Sequence, residues 1–414
     1  MSKIKANSTN NHFLKFWLVA LILYLPTLGL VGGQVYALFV PVAILLYREE
    51  LTLEYLAIKE NGISKRSKLS IIVFGIVSCL IILNVVINTG NLKLLLKTPV
   101  LYSPLLLLGS YLIADIRVIR ALFALIVIEI LVGWTEYFLG MNSFYKSLPG
   151  TFNFINYDSF YHTRVFGLSV NSSFLAQKSI VGFLSILFLN LKFKNIEKVL
   201  LYTLFISGIV ITFGRTSIVV FLFALVISII IFTFYLLSKK LEVSPINKLI
   251  GYSTYVTMAG LILTFDFWKQ QFTRLDMIPR FVDAEGNGLG FINGLGLGGI
   301  DMSGRKEMWA NSINFISENL WFGNGSERFL LNNNHVHSSF FEAISTHGIV
   351  IFTLLVLLII INLRRSNFLF IGLILLYSIG QYGIFWNISF LDLIFYGVLI
   401  FGIRQLNSSD EFGI

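Results

Sequence analysis

Charge is scarce in this sequence. Asp, Glu, Lys and Arg together make up 13% of its 414 residues, against 56% hydrophobic. A soluble domain carries about 25% charged residues, so this chain lacks the polar side chains needed to cover a globule in water. Its mean hydropathy is +0.80. Cysteine is nearly absent as well. Cys79 is the only one and lies inside an apolar run, which excludes an intrachain disulfide. Any loop that holds its shape must do so by other contacts.

The chain is instead built of apolar runs of about 17–25 residues, the length that crosses a hydrocarbon core of about 30 Å. Backbone groups in lipid must be bonded within the spanning element. These runs are too long and too evenly apolar for the alternating strands of a barrel. The expected fold is therefore all-α, a polytopic membrane protein with about 12 transmembrane helices. The spans are expected near 13–31, 33–47, 69–88, 99–114, 118–139, 171–191, 199–214, 216–237, 249–267, 348–362, 367–385 and 388–403. Lys3, Lys5 and Lys15 precede the first run in the manner of a signal peptide, but the spans that follow favour an uncleaved anchor.

The net charge of +9 does not point to nucleic acid, because most of the basic residues sit in short loops. An even number of spans with cytoplasmic termini puts nineteen of the 31 lysines and arginines in short cytoplasmic segments, from Lys3 to Arg404. That bias is what sets orientation. Five segments follow: N-terminal membrane helices 1–139, a smaller outer loop 140–170, helices 171–267 turning at Arg215, a large outer loop 268–347, and C-terminal helices 348–414. In the large loop, Arg305, Trp309, Ile313, Ile316 and Leu320 share one face of an expected helix. A face of that kind suits a helix lying on the membrane or capping a cavity.

Topology gives no reason for the basic residues on the outer side, so these are the candidates for chemistry. Arg215 sits between two apolar runs with almost no loop around it. An ionisable group there costs a few kcal/mol unless paired or solvated; the plainer alternative is an arginine that snorkels to anchor a helix end. Arg164 and Arg305 stand in outer loops, where arginine is ordinarily a solvated surface residue. His335 and His337 form an HxH pair, but no cysteine is near and Glu342 is off the helical face, so metal ligation is disfavoured. A general base or a hydrogen-bonding histidine remains. The stretch GNGLGFINGLGLGG (Gly286–Gly299) lacks the strand and the GK[ST] of a phosphate loop, and reads as a flexible loop. Ser338 and Ser339 have no nucleophile-elbow context. Within the spans, Glu129, Glu136, Lys178 and Asp392 are either transporter-type relay residues or paired structural charges.

Four stretches, in order, resemble the bacterial O-antigen ligase and O-antigen (exopolysaccharide) polymerase superfamily. HSSFFEAISTHGIVIFTLL supplies His337 and Gly348 at that family's histidine and glycine. TRVFGLSVNSSFLA supplies Arg164, Gly167 and Asn171. FGRTS resembles the family's arginine turn between two spans, and GRKEMWANSINFISENLWFGNG its arginine–tryptophan helix, with Arg305, Trp309, Gly323 and Gly325. The chain departs from the family at Asn171-Ser172, where proline-asparagine is usual, and at Ile351, where glycine is common.

The resemblance implies a C-type-like membrane glycosyltransferase of the bacterial inner membrane, with a large periplasmic loop. It implies transfer of a glycan from an undecaprenyl-pyrophosphate carrier to an acceptor sugar on the periplasmic face, without metal or other cofactor. The implied partners are the lipid-linked glycan, a growing glycan or lipid A core as acceptor, the bilayer and a chain-length regulator. His337 is then the expected catalytic base, and Arg215, Arg305 and Arg164 the expected pyrophosphate-binding residues. Polymerase is slightly favoured over ligase. The alternative from another class is a multispan transporter or flippase of lipid-linked oligosaccharide, which would place charges along a midplane cavity.

Overall fold

The computed structural model describes residues 14–28, 36–61, 65–89, 104–139, 165–169, 171–212, 214–237, 245–263, 305–325, 330–331, 334–385 and 389–404. Nearly all of them are helical. In chain order the helices are α1 (Leu14–Leu28, its last turn 3-10), α2 (Tyr36–Leu46), α3 (Arg48–Asn61), α4 (Lys65–Thr89), α5 (Pro104–Ile113), α6 (Ile116–Leu139) and α7 (Ser172–Phe188). They continue with α8 (Asn195–Thr212), α9 (Arg215–Leu237), α10 (Pro245–Leu263), α11 (Arg305–Glu318), α12 (Ser339–Asn362), α13 (Phe368–Gly380) and α14 (Phe390–Tyr396), which a π-helical turn prolongs to Phe401. A two-residue ladder, Leu330–Leu331 with Asn334–His335, joins α11 to α12.

Each expected span falls on a helix, but the segments differ in kind. Among the described residues four helices are long and apolar enough to cross a bilayer alone: α4, α8, α9 and α12. At about 1.5 Å rise per residue, the 13 residues of α13 reach only about two thirds of the way across a 30 Å core. Apolar side chains point outward on several helices: Phe138 is 76% exposed, Phe234 74% and Ile87 71%. Such faces suit lipid as the surrounding solvent, since soluble proteins rarely leave apolar surface of that extent uncovered. This is an integral membrane protein.

Three differences from the sequence reading have physical causes. The segment 48–61, expected as loop, is a helix carrying Glu49 and Glu50 in its first turn, where the positive helix end favours acids. Lys15 pairs with both, at 3.2 and 2.5 Å. The expected span 367–385 ends at Gly380, and residues 381–385 form a loop. The expected span 348–362 begins nine residues earlier, at Ser339, with a break at Gly348 (φ 77, ψ 172). The apolar run was legible; the short half-helix before the break was not, because Glu342, Ser345, Thr346 and His347 give it polar character.

The break at Gly348 is closed by a returning turn. The carbonyls of Ser345 and Thr346 accept from the N–H groups of Asn324 (3.0 Å) and Gly325 (2.9 Å), and Ile349 N–H donates to Leu320 O at 2.8 Å. Helix α4 adds the Asn84 amide, which donates to Thr346 O at 3.3 Å. A broken helix is tolerated in a membrane protein where neighbours re-satisfy its backbone, and here a six-residue turn, Leu320–Gly325, does so. Gly348 is required by close approach: a Cβ there would collide with the backbone of Trp321 and Phe322.

The opposite end of the bundle, where the sequence gathers its basic residues, has its own fastening. Arg404 N–H donates to Ala114 O at 2.8 Å and Arg404 O accepts from Ile116 N–H at 3.1 Å, so the segment after α14 pairs with the α5–α6 corner. Asp115 at that corner accepts from the Tyr47 hydroxyl and from Arg117 Nη2 at 2.7 Å. Burial pushes the Asp115 carboxyl up, but the Arg117 guanidinium beside it outweighs burial and holds it below the usual carboxylate range.

Candidate functional site

The site is built around the start of α12. Val336 is fully buried, and its carbonyl accepts from the Trp309 indole N–H at 3.0 Å. That bond fastens α11 to the residue before His337. The Trp309 ring also lies 5.5 Å from that of Phe341. His337 turns the chain with φ 53, the left-handed region that a non-glycine residue enters seldom, though histidine more often than most. Ser338 follows in extended conformation as the N-cap of α12. His337 is half-buried, while Ser338 and Ser339 are buried.

The loop after α13 packs against this turn. Its Tyr382 hydroxyl accepts from the His337 backbone N–H at 3.2 Å. The two rings lie 5.6 Å apart, tilted by 37°. Ser339 Oγ donates to Gln381 O (3.3 Å) and accepts from the N–H groups of Gly383 (2.8 Å) and Ile384 (3.2 Å). Gln177 on α7 reaches the carbonyl of Tyr382 at 3.0 Å. Thr216 on α9 reaches Gly380 O at 3.4 Å. Beneath the loop the rings of Phe340, Phe352 and Phe385 pack edge to face at 6.0–6.2 Å. One loop thus meets helices from three parts of the sequence.

The residues singled out in the sequence have the following places. His337 stands at the centre. Arg215 is the first residue of α9, next to Thr216 and its contact with Gly380. Arg305 is the first residue of α11, one turn before Trp309. Arg164 and the glycine stretch Gly286–Gly299 lie outside the described residues. The expected apolar face of α11 is only partly the buried one: Ser312 is fully buried, whereas Ile313 is 53% exposed. Among the described residues no group of three or more His, Cys, Asp or Glu is arranged to hold a metal.

The charges inside the spans are held: Lys178 and Glu129 form an ion pair, and Glu136 and Asp392 accept hydrogen bonds from neutral groups. Lys178 bonds Glu129 at 2.5 Å, Ser169 at 2.8 Å and Thr27 at 3.3 Å. Glu129 also accepts from Tyr24 and, at 2.5 Å, from Ser169. Two turns along α6, Glu136 accepts from the N–H groups of Phe166 (2.9 Å) and Gly167 (2.8 Å). The segment 165–169, which follows Arg164 directly, is therefore mounted on the buried acids of α6. Asp392 closes the loop before α14, accepting from Phe385 N–H (2.9 Å) and Ser389 Oγ (2.7 Å). Tyr382 escaped the sequence reading because the apolar run was read straight through it. The signal that could have found it is the Gly380-Gln381-Tyr382-Gly383 interruption.

Residues 199–356 match the family model described as O-antigen ligase. Neither a curated protein nor a solved structure matches the chain. The matched stretch supports the resemblance to the O-antigen ligase and polymerase superfamily. It contains Arg215, Arg305 and His337 and ends before the loop that carries Tyr382.

Proposed function

We propose, from the O-antigen ligase domain at residues 199–356, that this protein is a membrane glycosyltransferase. It moves a glycan from an undecaprenyl-pyrophosphate carrier to an acceptor sugar on the periplasmic face of the inner membrane. One observation carries the reading: the starts of α9 and α12, both in the matched stretch, meet at the single loop after α13, and α11 is bonded to the residue before His337. Helix starts present free N–H groups and partial positive charge. Arginines at such starts add planar donors that bind phosphate oxygens bidentately.

In the proposed reaction the acceptor hydroxyl oxygen attacks the anomeric carbon of the donor sugar. The carbon–oxygen bond to the pyrophosphate breaks, and the pyrophosphate leaves on its lipid. The hydroxyl proton passes to the neutral imidazole of His337. Arg215 and Arg305, with Arg164 in support, balance the charge that develops on the leaving group. A positioned base contributes about 10²–10⁴-fold, and removing one donor aimed at developing charge costs about 2.7–4 kcal/mol. No metal is required by these roles.

The burial of Glu129, Lys178, Glu136 and Asp392 among bonding partners favours this enzyme over a transporter, which needs charges open to a cavity. Between acceptors we favour a growing lipid-linked chain, hence a polymerase, because the long loop 268–347 gives room for an extended glycan. Deletion of the gene tests this. Loss of the glycan ladder with single units still attached means polymerase; free lipid-linked polymer means ligase. His337→Ala is expected to reproduce the deletion at unchanged protein level. An intact ladder in that variant sinks the base assignment.

A further inference from the structure

The loop Gly380–Phe385 holds a side chain that the reaction above does not use. Tyr382 is half-buried beside the half-buried His337. Its hydroxyl is 3.2 Å from the His337 N–H, and its ring 5.6 Å from the imidazole. We propose that Tyr382 is a positioning residue for the base: it holds His337 in its left-handed conformation and braces the imidazole at the mouth of α12. The inference rests on the glycosyltransferase reading for its consequence in rate, and on the geometry alone for the contact.

Three observations lead to it. First, His337 lies between two buried neighbours, Val336 and Ser338, so the chain enters and leaves the turn at fixed points. With those ends fixed, the φ of 53 decides where the imidazole points. A residue in that region persists only where its surroundings over-determine it, and the Tyr382 hydroxyl takes the N–H that the turn directs away from α12. Second, Tyr382 is itself immobilised. Its carbonyl is held by Gln177, and the two residues after it bond to Ser339 Oγ. Third, the same loop is touched by Thr216, the neighbour of Arg215. A shift of Tyr382 would therefore disturb the spacing between the base and the arginine turn. Displacement of a reacting group by about 1 Å can cost 10²-fold in rate.

Tyr382→Phe removes the acceptor and keeps the ring; Tyr382→Ala removes both. Membranes from the deletion strain carrying each variant would be supplied with the lipid-linked single glycan unit extracted from that strain. Initial rates would be measured against its concentration. Tyr382→Phe is expected to lower kcat by about ten- to a hundredfold with little change in KM, and Tyr382→Ala to lower it further. Protein level and melting temperature should hold in the phenylalanine variant.

Selective labelling of the five histidines gives a second readout, with the His337 resonance identified by its loss in His337→Ala. Tyr382→Phe should move that resonance. An unmoved resonance, or a kcat within about twofold of wild type while His337→Ala is dead, overturns the positioning role. Activity in His337→Ala is a different failure. It removes the base from the reaction, and Tyr382→Phe would then move the resonance without moving the rate.

Discussion

A histidine with positive φ, an aspartate held by an arginine and a tyrosine hydroxyl at a corner are where this chain departs from an apolar average. The sequence pointed to His337 as a basic residue on the outer side and through its place at the histidine of the family motif. It could not give the backbone angle, which depends on Val336, Ser338 and Tyr382 all being fixed. Asp115 shows how a local charge acts on stability. Its carboxyl is depressed in the folded protein, so its contribution is fully present above the unfolded value of about 3.9 and fades as pH falls through the lower folded value. The melting temperature of purified protein should therefore exceed that of Asp115→Asn by a constant margin at neutral pH. The margin should close on acidification below about pH 4. A margin that widened in acid would contradict the Arg117 pairing.

At the scale of elements, the broken helix α12 and the mounted segment 165–169 govern the site's frame. Gly348 has φ 77 and ψ 172, a region that is essentially glycine-only and costs a side chain about 1–3 kcal/mol. Gly348→Ala adds a clash with Trp321 and Phe322 to that strain. It should lower the melting temperature sharply and reduce yield, whereas Gly372→Ala, with open space around its Cβ, should leave both unchanged or slightly raised. Glu136→Ala strips the acceptor from two buried N–H groups, at about 1–3 kcal/mol each. Amide exchange at 166 and 167 should accelerate, and comparable protection in the variant would show that Glu136 is not what holds them. The sequence marked Gly348 by motif and Glu136 as a charge within a span, but neither the helix break nor the partner of the acid was readable in it. Two acids seven residues apart mark one helix face, but what lies across from that face is a tertiary fact.

Across the whole molecule, helix existence was legible because hydropathy runs are long and lipid demands helices. What failed was depth. Helix α13 stops at Gly380 and α12 starts at Ser339, because loop and half-helix satisfy each other's backbones inside the fold, where composition alone predicts a continuous span. The identity of His337, Arg215 and Arg305 as candidates came from local motifs; Tyr382, the neighbour of His337, came only from packing.

The pair Lys178–Glu129 belongs to this scale because it ties α1, α6 and α7 together. Both side chains are essentially inaccessible. Removing one partner leaves a buried charge and costs about 3–5 kcal/mol, while replacing both with apolar groups of similar size is often neutral. Lys178→Met should thus cripple folding, and Lys178→Met with Glu129→Leu should recover much of the lost stability in thermal melts. If the double variant also makes glycan, the pair is structural. Inactivity at full stability would revive a transport role.

Main-chain hydrogen bonds fasten α12 to the turn Leu320–Gly325. Its side chains at Trp321 and Phe322 stand 65% and 51% exposed, and the hydrogen bonds of the seam come from the backbone. The turn can therefore be recoded at those two positions without loosening the seam. That makes position 321 or 322 a place to carry a reporter dye a few residues from the working end of the protein, while Gly323 and Gly325 on the same turn tolerate nothing larger.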